Sequence, residues 1–286
     1  MQNNPKNLPI SDNHIHIDPI NGVGLFKVTN LFYNAGGRNM FIPNLPSWQF
    51  NKPFDFKKAI DINIQTVEKI NQETPLNAYA LSGVHPAEFS QLIRNGKSFE
   101  DAYQLVKKGL EYAQKTILEG KAIAIGEIGR PHYPVSDEEW QYHNKLIQYS
   151  MELAKDTNSA IQLHTESATP KQFKEFADMA DKIGFKKYKL IKHFSGPYTD
   201  TKENYGLTPS LTASKKTIKD GIKKSDYFLM ETDYIDDPER PGAVLGPKTV
   251  PKRTLNFLDN EIFTEETIYK IHKENIEKVY DINIIK

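Results

Sequence analysis

This sequence predicts an α/β chain folded as one (β/α)8 barrel, a TIM barrel, and three observations predict it. Eight short apolar runs recur along the chain, most of them separated by longer stretches with helical periodicity. The 286 residues are close to the roughly 250 that a single barrel takes. Potential metal ligands fall at the C-terminal ends of five of the eight runs, the end at which barrels build their sites. An open doubly wound sheet is the structural alternative. No linker, low-complexity stretch or internal repeat breaks the pattern, so residues 1–286 read as a single domain.

Strands are expected at residues 8–16, 39–43, 77–84, 122–127, 160–164, 189–193, 205–211 and 227–232. The run at 122–127, Ala-Ile-Ala-Ile-Gly-Glu, is short and apolar, as suits a strand buried on both faces. Between the strands, residues 54–72 carry Ile60, Ile64, Val67 and Ile70 at helical spacing. A second helix is expected from Ser98 or Asp101 to Leu118, and Ser136-x-x-Glu139 opens another as a capping box. Pro170 begins a helix to about residue 183, which Gly184 stops. Residues 214–223 and 264–279 complete the set. Residues 18–37 and 233–253 are long loops that follow strands, which places both on the catalytic face.

Hydrophobic residues at 38% and charged residues at 26% describe a soluble, folded chain. Lys plus Arg and Asp plus Glu both number 37, which argues against attachment to nucleic acid by bulk charge but leaves room for a local basic rim. There is no cysteine, so disulfides, iron–sulfur clusters and Cys-ligated zinc are excluded, and any metal must use His, Asp, Glu or backbone oxygen. Residues 1–9 lack the apolar core of a signal peptide, and no run approaches the ~20 apolar residues of a membrane span. The expected location is the cytoplasm, away from membranes.

The chemistry begins at Asn13-His14-Ile15-His16. Residues i and i+2 of a strand point the same way, so both imidazoles can reach one metal from the mouth of a barrel. Glu127 ends a largely apolar strand, where a carboxylate is costly to bury unless paired or metal-bound. His164 and His193 each end a strand, and Asp233 follows the last one. Singly, each has a plain reading: a packed or hydrogen-bonded histidine, a glutamate reaching solvent, an aspartate in a turn. Together they supply four imidazoles and two carboxylates, too many for one four-coordinate zinc and the right number for a pair of divalent metals bridged by a carboxylate. Nitrogen and oxygen ligation suits Zn, Mn, Ni, Co or Fe, with Mg also open.

In this order the chain resembles the TatD-related metal-dependent hydrolases, a branch of the amidohydrolase superfamily. The matching pieces span nearly the whole chain: Asp12-Asn13-His14-Ile15-His16, Gly83-Val84-His85-Pro86, Gly126-Glu127-Ile128-Gly129, His164, His193-Phe194-Ser195-Gly196 and Glu231-Thr232-Asp233. The resemblance implies that His14, His16 and Asp233 bind a first metal, His164 and His193 a second, and that Glu127 bridges them where other branches use a carboxylated lysine. It implies a water or hydroxide between the metals as nucleophile, with Asp233 taking its proton and delivering it to the leaving group. Asp233, Glu127 and His85 would form the catalytic set. His85 would contact substrate or an oxyanion; as a residue before Pro86 it also reads as part of a turn. His132 reads either as a supporting or acid group or as a surface histidine. Arg130, Lys248 and Arg253 can bind an anionic substrate from the rim or sit solvated. His143 and His272 fall in helices and read as ordinary.

Four departures from the DNase-type pattern bear on substrate. The chain has Gly129-Arg130-Pro131 for Gly-Leu-Asp, His164-Thr165-Glu166 for His-x-Arg, His85-Pro86-Ala87 for His-Pro-His, and Tyr234-Ile235 for the Ser-Pro after Glu-Thr-Asp. The ligands survive all four. The leading expectation is hydrolysis of a phosphodiester at a DNA end, with Tyr33, Trp48, Tyr133 or Tyr234 either stacking on a base or packing in the protein. The alternative is a small lactone, amide or phosphoester, which Glu166 and the neutral charge favour. A non-catalytic metal-binding barrel is the third reading, and the complete set of six ligands opposes it.

Overall fold

A computed structural model describes residues 8–51, 53–240, 242 and 244–284. Eight strands form one sheet in chain order, all parallel: β1 (Ser11–Asp12), β2 (Asn39–Pro43), β3 (Asn77–Ser82), β4 (Ala124–Gly129), β5 (Ala160–His164), β6 (Leu190–Lys192), β7 (Thr208–Thr212) and β8 (Leu229–Glu231). Hydrogen bonds from Asn13 N–H to Met230 O at 2.9 Å, Asp233 N–H to His14 O at 3.0 Å and His16 N–H to Tyr234 O at 2.8 Å join the last strand back to the first. The sheet is therefore a barrel, as the sequence predicts.

Parallel neighbours need crossovers, and helices supply them. They are α1 (Leu25–Asn34), α2 (Phe56–Glu73), α3 (Pro86–Arg94), α4 (Phe99–Leu118), α5 (Asp137–Asp156), α6 (Pro170–Ile183), α7 (Thr201–Asn204), α8 (Lys215–Ile222), α9 (Thr249–Asp259), α10 (Glu265–Tyr269) and α11 (Asn275–Tyr280). Gly184 caps α6 in the left-handed conformation, the stop its position predicts. Among the described residues no helix is long and apolar enough to cross a membrane.

Several elements differ from expectation. The first strand is not continuous over 8–16. Ser11 and Asp12 are in register with β2, the chain bends at Asn13-His14, and Ile15 then donates to Phe41 O at 3.2 Å and bridges to Tyr234. The Asp12 carboxylate accepts from His14 N–H at 3.2 Å inside that bend. Pro86 opens a helix rather than ending a turn, because proline is pre-set for the first helical position and His85 Nδ1 caps the Ala87 N–H at 3.2 Å. The loop at 18–37 contains α1, and 3-10 geometry occupies Ser47–Phe50. The seventh strand lies later than 205–211, since Tyr205 is left-handed at the end of α7. The stretch 264–279 divides into α10, a π-helical turn at Lys270–Glu274, and α11.

The two-residue period of the strands orders the barrel interior in layers. At the bottom Phe41, Leu81, Ala124, Ala160, Ile191 and Leu229 pack against Ile276, Val279 and Tyr280 of α11. Two residues further along, Gln162 follows Ala160 and Glu231 follows Leu229; both are fully buried, beside Asn13 and Ser210. One more step on brings His164 above Gln162 and Asp233 above Glu231. The apolar floor excludes water, the polar middle holds hydrogen bonds, and the ligand-type residues stand at the C-terminal mouth.

Candidate metal centre

The six residues expected to hold metal converge at that mouth. Around the Glu127 carboxylate, His14 Nε2 lies at 3.7 Å, His16 Nε2 at 3.3 Å, His164 Nδ1 at 3.0 Å and His193 Nε2 at 3.5 Å. Asp233 Oδ1 is 3.6 Å from His14 Nε2. The imidazoles form two pairs: His14 Nε2 and His16 Nε2 are 3.0 Å apart, and His164 Nδ1 and His193 Nε2 are 3.2 Å apart. Two nitrogens bound to one zinc at ~2.1 Å in a tetrahedral shell lie about 3.4 Å apart, so each pair has nearly the spacing one cation requires.

Backbone and neighbours hold these groups in place. Gly129 has a φ of +154°, and a Cβ there would stand 1.9 Å from His164 O, so the end of β4 can lie against β5 only with glycine at this position. The β4–β5 register shifts between Gly126 and Ile128, which is where Glu127 turns inward. Asp233 is left-handed, with φ at +53°, a conformation aspartate tolerates better than most residues.

A hydrogen bond selects the His14 tautomer. His14 Nδ1 lies 2.6 Å from Gln162 Oε1, and the same amide donates from Nε2 to Asn13 O at 2.9 Å. An amide oxygen only accepts, so His14 carries its proton on Nδ1 and turns the Nε2 lone pair toward Glu127 and Asp233. His193 Nδ1 faces Glu231 Oε1 at 3.5 Å, which leaves its Nε2 for the same centre. Ser210 Oγ accepts from Asn13 Nδ2 at 3.0 Å and donates to Glu231 Oε2, and Tyr280 OH donates to Asn13 Oδ1 at 2.8 Å. One hydrogen-bonded layer thus braces both halves of the site from below.

The electrostatics suit a cation. Burial holds the His14, His193 and His85 imidazoles well below the usual pKa, so they are neutral and have lone pairs to give. Burial would raise Glu127, but His14, His16 and His164 overcome it and keep the carboxyl well below its ordinary value. Burial, with Glu231 beside it, pushes Asp233 up to about 7, and burial pushes Glu231 up to about 8. Lone pairs and buried carboxylates crowded together repel one another, and divalent cations in their midst relieve that repulsion. The residues present fit such ions.

Among the described residues three ligand-type groups lie within 4.8 Å internally: His14, His16 and Asp233; His85, Glu127 and His164; and His14, His193 and Glu231. The first matches the trio expected for one metal. The second adds His85, whose ring centroid is 4.4 Å from that of His164. His132 Nδ1 is 3.2 Å from His164 Nε2, so it too belongs to the mouth. A pocket of about 330 Å³ opens above, lined by His132, His164, Thr165, Ser167, His193, Phe194 and Asp233.

Arg130 is not brought to this pocket. It is 1% exposed, donates to Asn144 Oδ1 at 2.7 Å, and pairs with Glu166 at 3.1 Å and Glu175 at 3.0 Å. Its guanidinium stacks between Trp140 and Phe176. Two of the departures from the DNase-type pattern, Arg130 and Glu166, are therefore partners. Lys248 and Arg253 line a separate groove along α9. Of the aromatics expected to stack on a base, Tyr33 lies under Arg38, Tyr133 under Arg94, and Tyr234 OH donates to Asp236; with Trp48 they are absent from the lining of the ligand pocket. Sequence reasoning passed over Gln162, Phe194 and the bracing role of Glu231. Spacing of two from His164 and from Asp233 was the available signal for Gln162 and Glu231.

Known proteins resemble this chain in sequence and in fold. An uncharacterized protein of Methanocaldococcus jannaschii, MJ1127, is 47% identical over 280 residues, 98% of each chain. Among solved structures, the TatD homologue YjjV of Escherichia coli K12 superposes with a TM-score of 0.65 at 16% identity, over 96% of this chain and 99% of its own. A mutant of a phosphotriesterase-like lactonase from Deinococcus radiodurans gives a TM-score of 0.65 at 14% identity, over 95% of each chain. The sequence family described as TatD related DNase matches residues 11–281, and the chain belongs to that family.

Proposed function

We propose that this chain is a hydrolase of ester-type bonds that works with two divalent metal ions, one at His14, His16 and Asp233, the other at His164 and His193, with Glu127 shared. The observation that carries the reading is the pairing of four imidazole nitrogens around one buried carboxylate. Bound there, the ions would polarise the bond under attack and draw the pKa of a water toward neutrality. Gln162 holds His14 in the ligating tautomer, and Glu231 stands beside His193. Asp233 faces the pocket and is 17% exposed, placed to take a proton from the attacking water and pass it to the leaving oxygen. In this reading His85, whose ring packs on that of His164 outside the pocket lining, would reach the group under attack only past His164.

The family's description makes a phosphodiester at a DNA end the first substrate to test. A second reading, a small lactone, ester or amide, is favoured by the pocket lining, which among the described residues contains no lysine or arginine, and by the pairing of Arg130 with Glu166 and Glu175. Metal-reconstituted protein should be offered end-labelled DNA and a lactone panel side by side, with Glu127→Gln and Asp233→Asn as controls. Turnover of either substrate, lost in both variants, supports the hydrolase; failure on both, with metal bound, counts against it.

A further inference from the structure

Phe194 is 51% exposed, one of five large hydrophobic side chains left open among the described residues, and of these it alone lines the ligand pocket. Its position is built. His193 points into the barrel, so strand alternation would send the next side chain outward among the helices. The backbone instead turns left-handed at Phe194, with φ at +51°, which is unusual for a bulky residue. Two bonds hold the turn: Phe194 N–H donates to the buried Glu231 Oε1 at 2.7 Å, and Ser195 N–H donates to Ser210 O at 3.0 Å. The same glutamate faces His193 Nδ1, so one buried carboxylate positions both a ligand and the aromatic ring beside it.

The charge around the mouth points the same way. Thr165 and Ser167 line the pocket with Phe194, and among the described residues that lining contains no lysine or arginine. On the opposite rim a second cavity is lined by Asp18, Asp236, Asp237 and Glu239 among neutral residues, and the nearby Arg240 is committed to Asp237 at 2.6 Å. This acidic lining disfavours a polyanion.

Building on the metal-centre reading, we infer that Phe194 is the specificity-determining wall of this site and that the substrate is a neutral ester or lactone whose apolar acyl chain lies on the phenyl ring. Water adds to the acyl carbon and gives one proton to Asp233, the acyl C–O bond breaks, the departing alkoxide takes that proton to become the alcohol, and the carboxylic acid so formed releases its own proton to solvent as the carboxylate.

Alkyl hydroxamates test this without turnover, since the hydroxamate head seeks a metal and the tail samples the wall. Calorimetry on zinc-reconstituted protein should show a long-chain hydroxamate binding about tenfold tighter than acetohydroxamate, the gain from covering roughly half a phenyl ring. Phe194→Ala should abolish the preference while leaving acetohydroxamate binding unchanged, and Phe194→Leu should keep most of it. For long-chain γ-lactones KM should rise about tenfold in Phe194→Ala. Equal binding of both hydroxamates to the unaltered protein, or a preference that survives Phe194→Ala, overturns the inference while leaving the metal centre standing. Failure of acetohydroxamate itself to bind would instead bring down the metal-centre reading, and this inference with it.

Discussion

At the scale of single residues, the bond from His14 Nδ1 to Gln162 Oε1 decides which imidazole nitrogen faces Glu127. Gln162→Leu keeps the volume and removes that choice, so metal affinity should fall 10- to 100-fold, read by competition with a chelator, while the thermal midpoint of the fold changes little. Arg130 acts differently. Its guanidinium is buried, but Glu166 and Glu175 are 31% and 41% exposed, so water recovers much of the charge if the arginine is lost. Arg130→Leu should cost about 2 kcal/mol of stability by denaturant titration, mostly through lost stacking on Trp140 and Phe176, and should leave KM unchanged. A raised KM with unaltered stability would restore Arg130 as a substrate contact. The contrast shows what the sequence could express. His14, His16, Glu127, His164, His193 and Asp233 were legible because each ends or follows a strand. Arg130 was not, because its partners are 14, 36 and 45 residues away and no spacing rule links them. Phe194 was hidden for the same reason: its turn depends on Glu231, 37 residues on.

At the scale of elements, strand order and most helices followed from periodicity and caps. Ser136 Oγ accepts from Glu139 N–H at 3.1 Å, as the capping box predicts, but the Glu139 carboxylate accepts from Ser90 Oγ at 2.5 Å instead of reaching back. One arm of the box is made, so Ser136→Ala should cost about 1 kcal/mol in a denaturant titration. The bend after β1 was illegible because it is made by partners on β8. Thr232 N–H and Oγ1 both donate to the Asp12 carboxylate, at 3.0 and 2.7 Å, and local sequence does not reveal them. The helix α3 is not legible in the sequence, because His85-Pro86 also reads as part of a turn, although proline is pre-set for the first helical position. The C-terminal α11 does more than cover the barrel floor. Its Tyr280 OH reaches Asn13 from below, so Tyr280→Phe should loosen the bracing layer and lower metal affinity, though less than Gln162→Leu does.

At the scale of the whole molecule, stability should depend on pH through a histidine outside the metal centre. His272 lies 3.2 Å from Ser11 N and 2.9 Å from Thr254 Oγ1, and burial lowers its pKa from 6.5 to about 4. Between those values the unfolded chain takes a proton that the folded chain refuses. Stability is therefore full above 6.5 and declines as pH falls toward 4, by up to about 3 kcal/mol. Buried acids oppose this slope: Asp12, raised by burial to about 8, and Glu88, raised by burial to about 7, favour the fold when protonated and lose that contribution as pH rises. The comparison of unaltered protein with His272→Gln isolates the histidine, and the variant should lose less stability between pH 6.5 and 4. Barrel closure was legible as a pattern of eight runs, but the layering inside it was not, because only closure tells which face of each strand becomes interior.

The central claim is that four imidazoles and two carboxylates at the barrel mouth hold a pair of metal ions. Elemental analysis of purified, reconstituted protein tests it most directly, alongside Glu127→Gln and the double variant His14→Ala, His16→Ala. About two metal equivalents per chain, falling toward one in the double variant and further in Glu127→Gln, is the predicted result. A chain that retains no stoichiometric metal after reconstitution, or the same content in all three proteins, would contradict it.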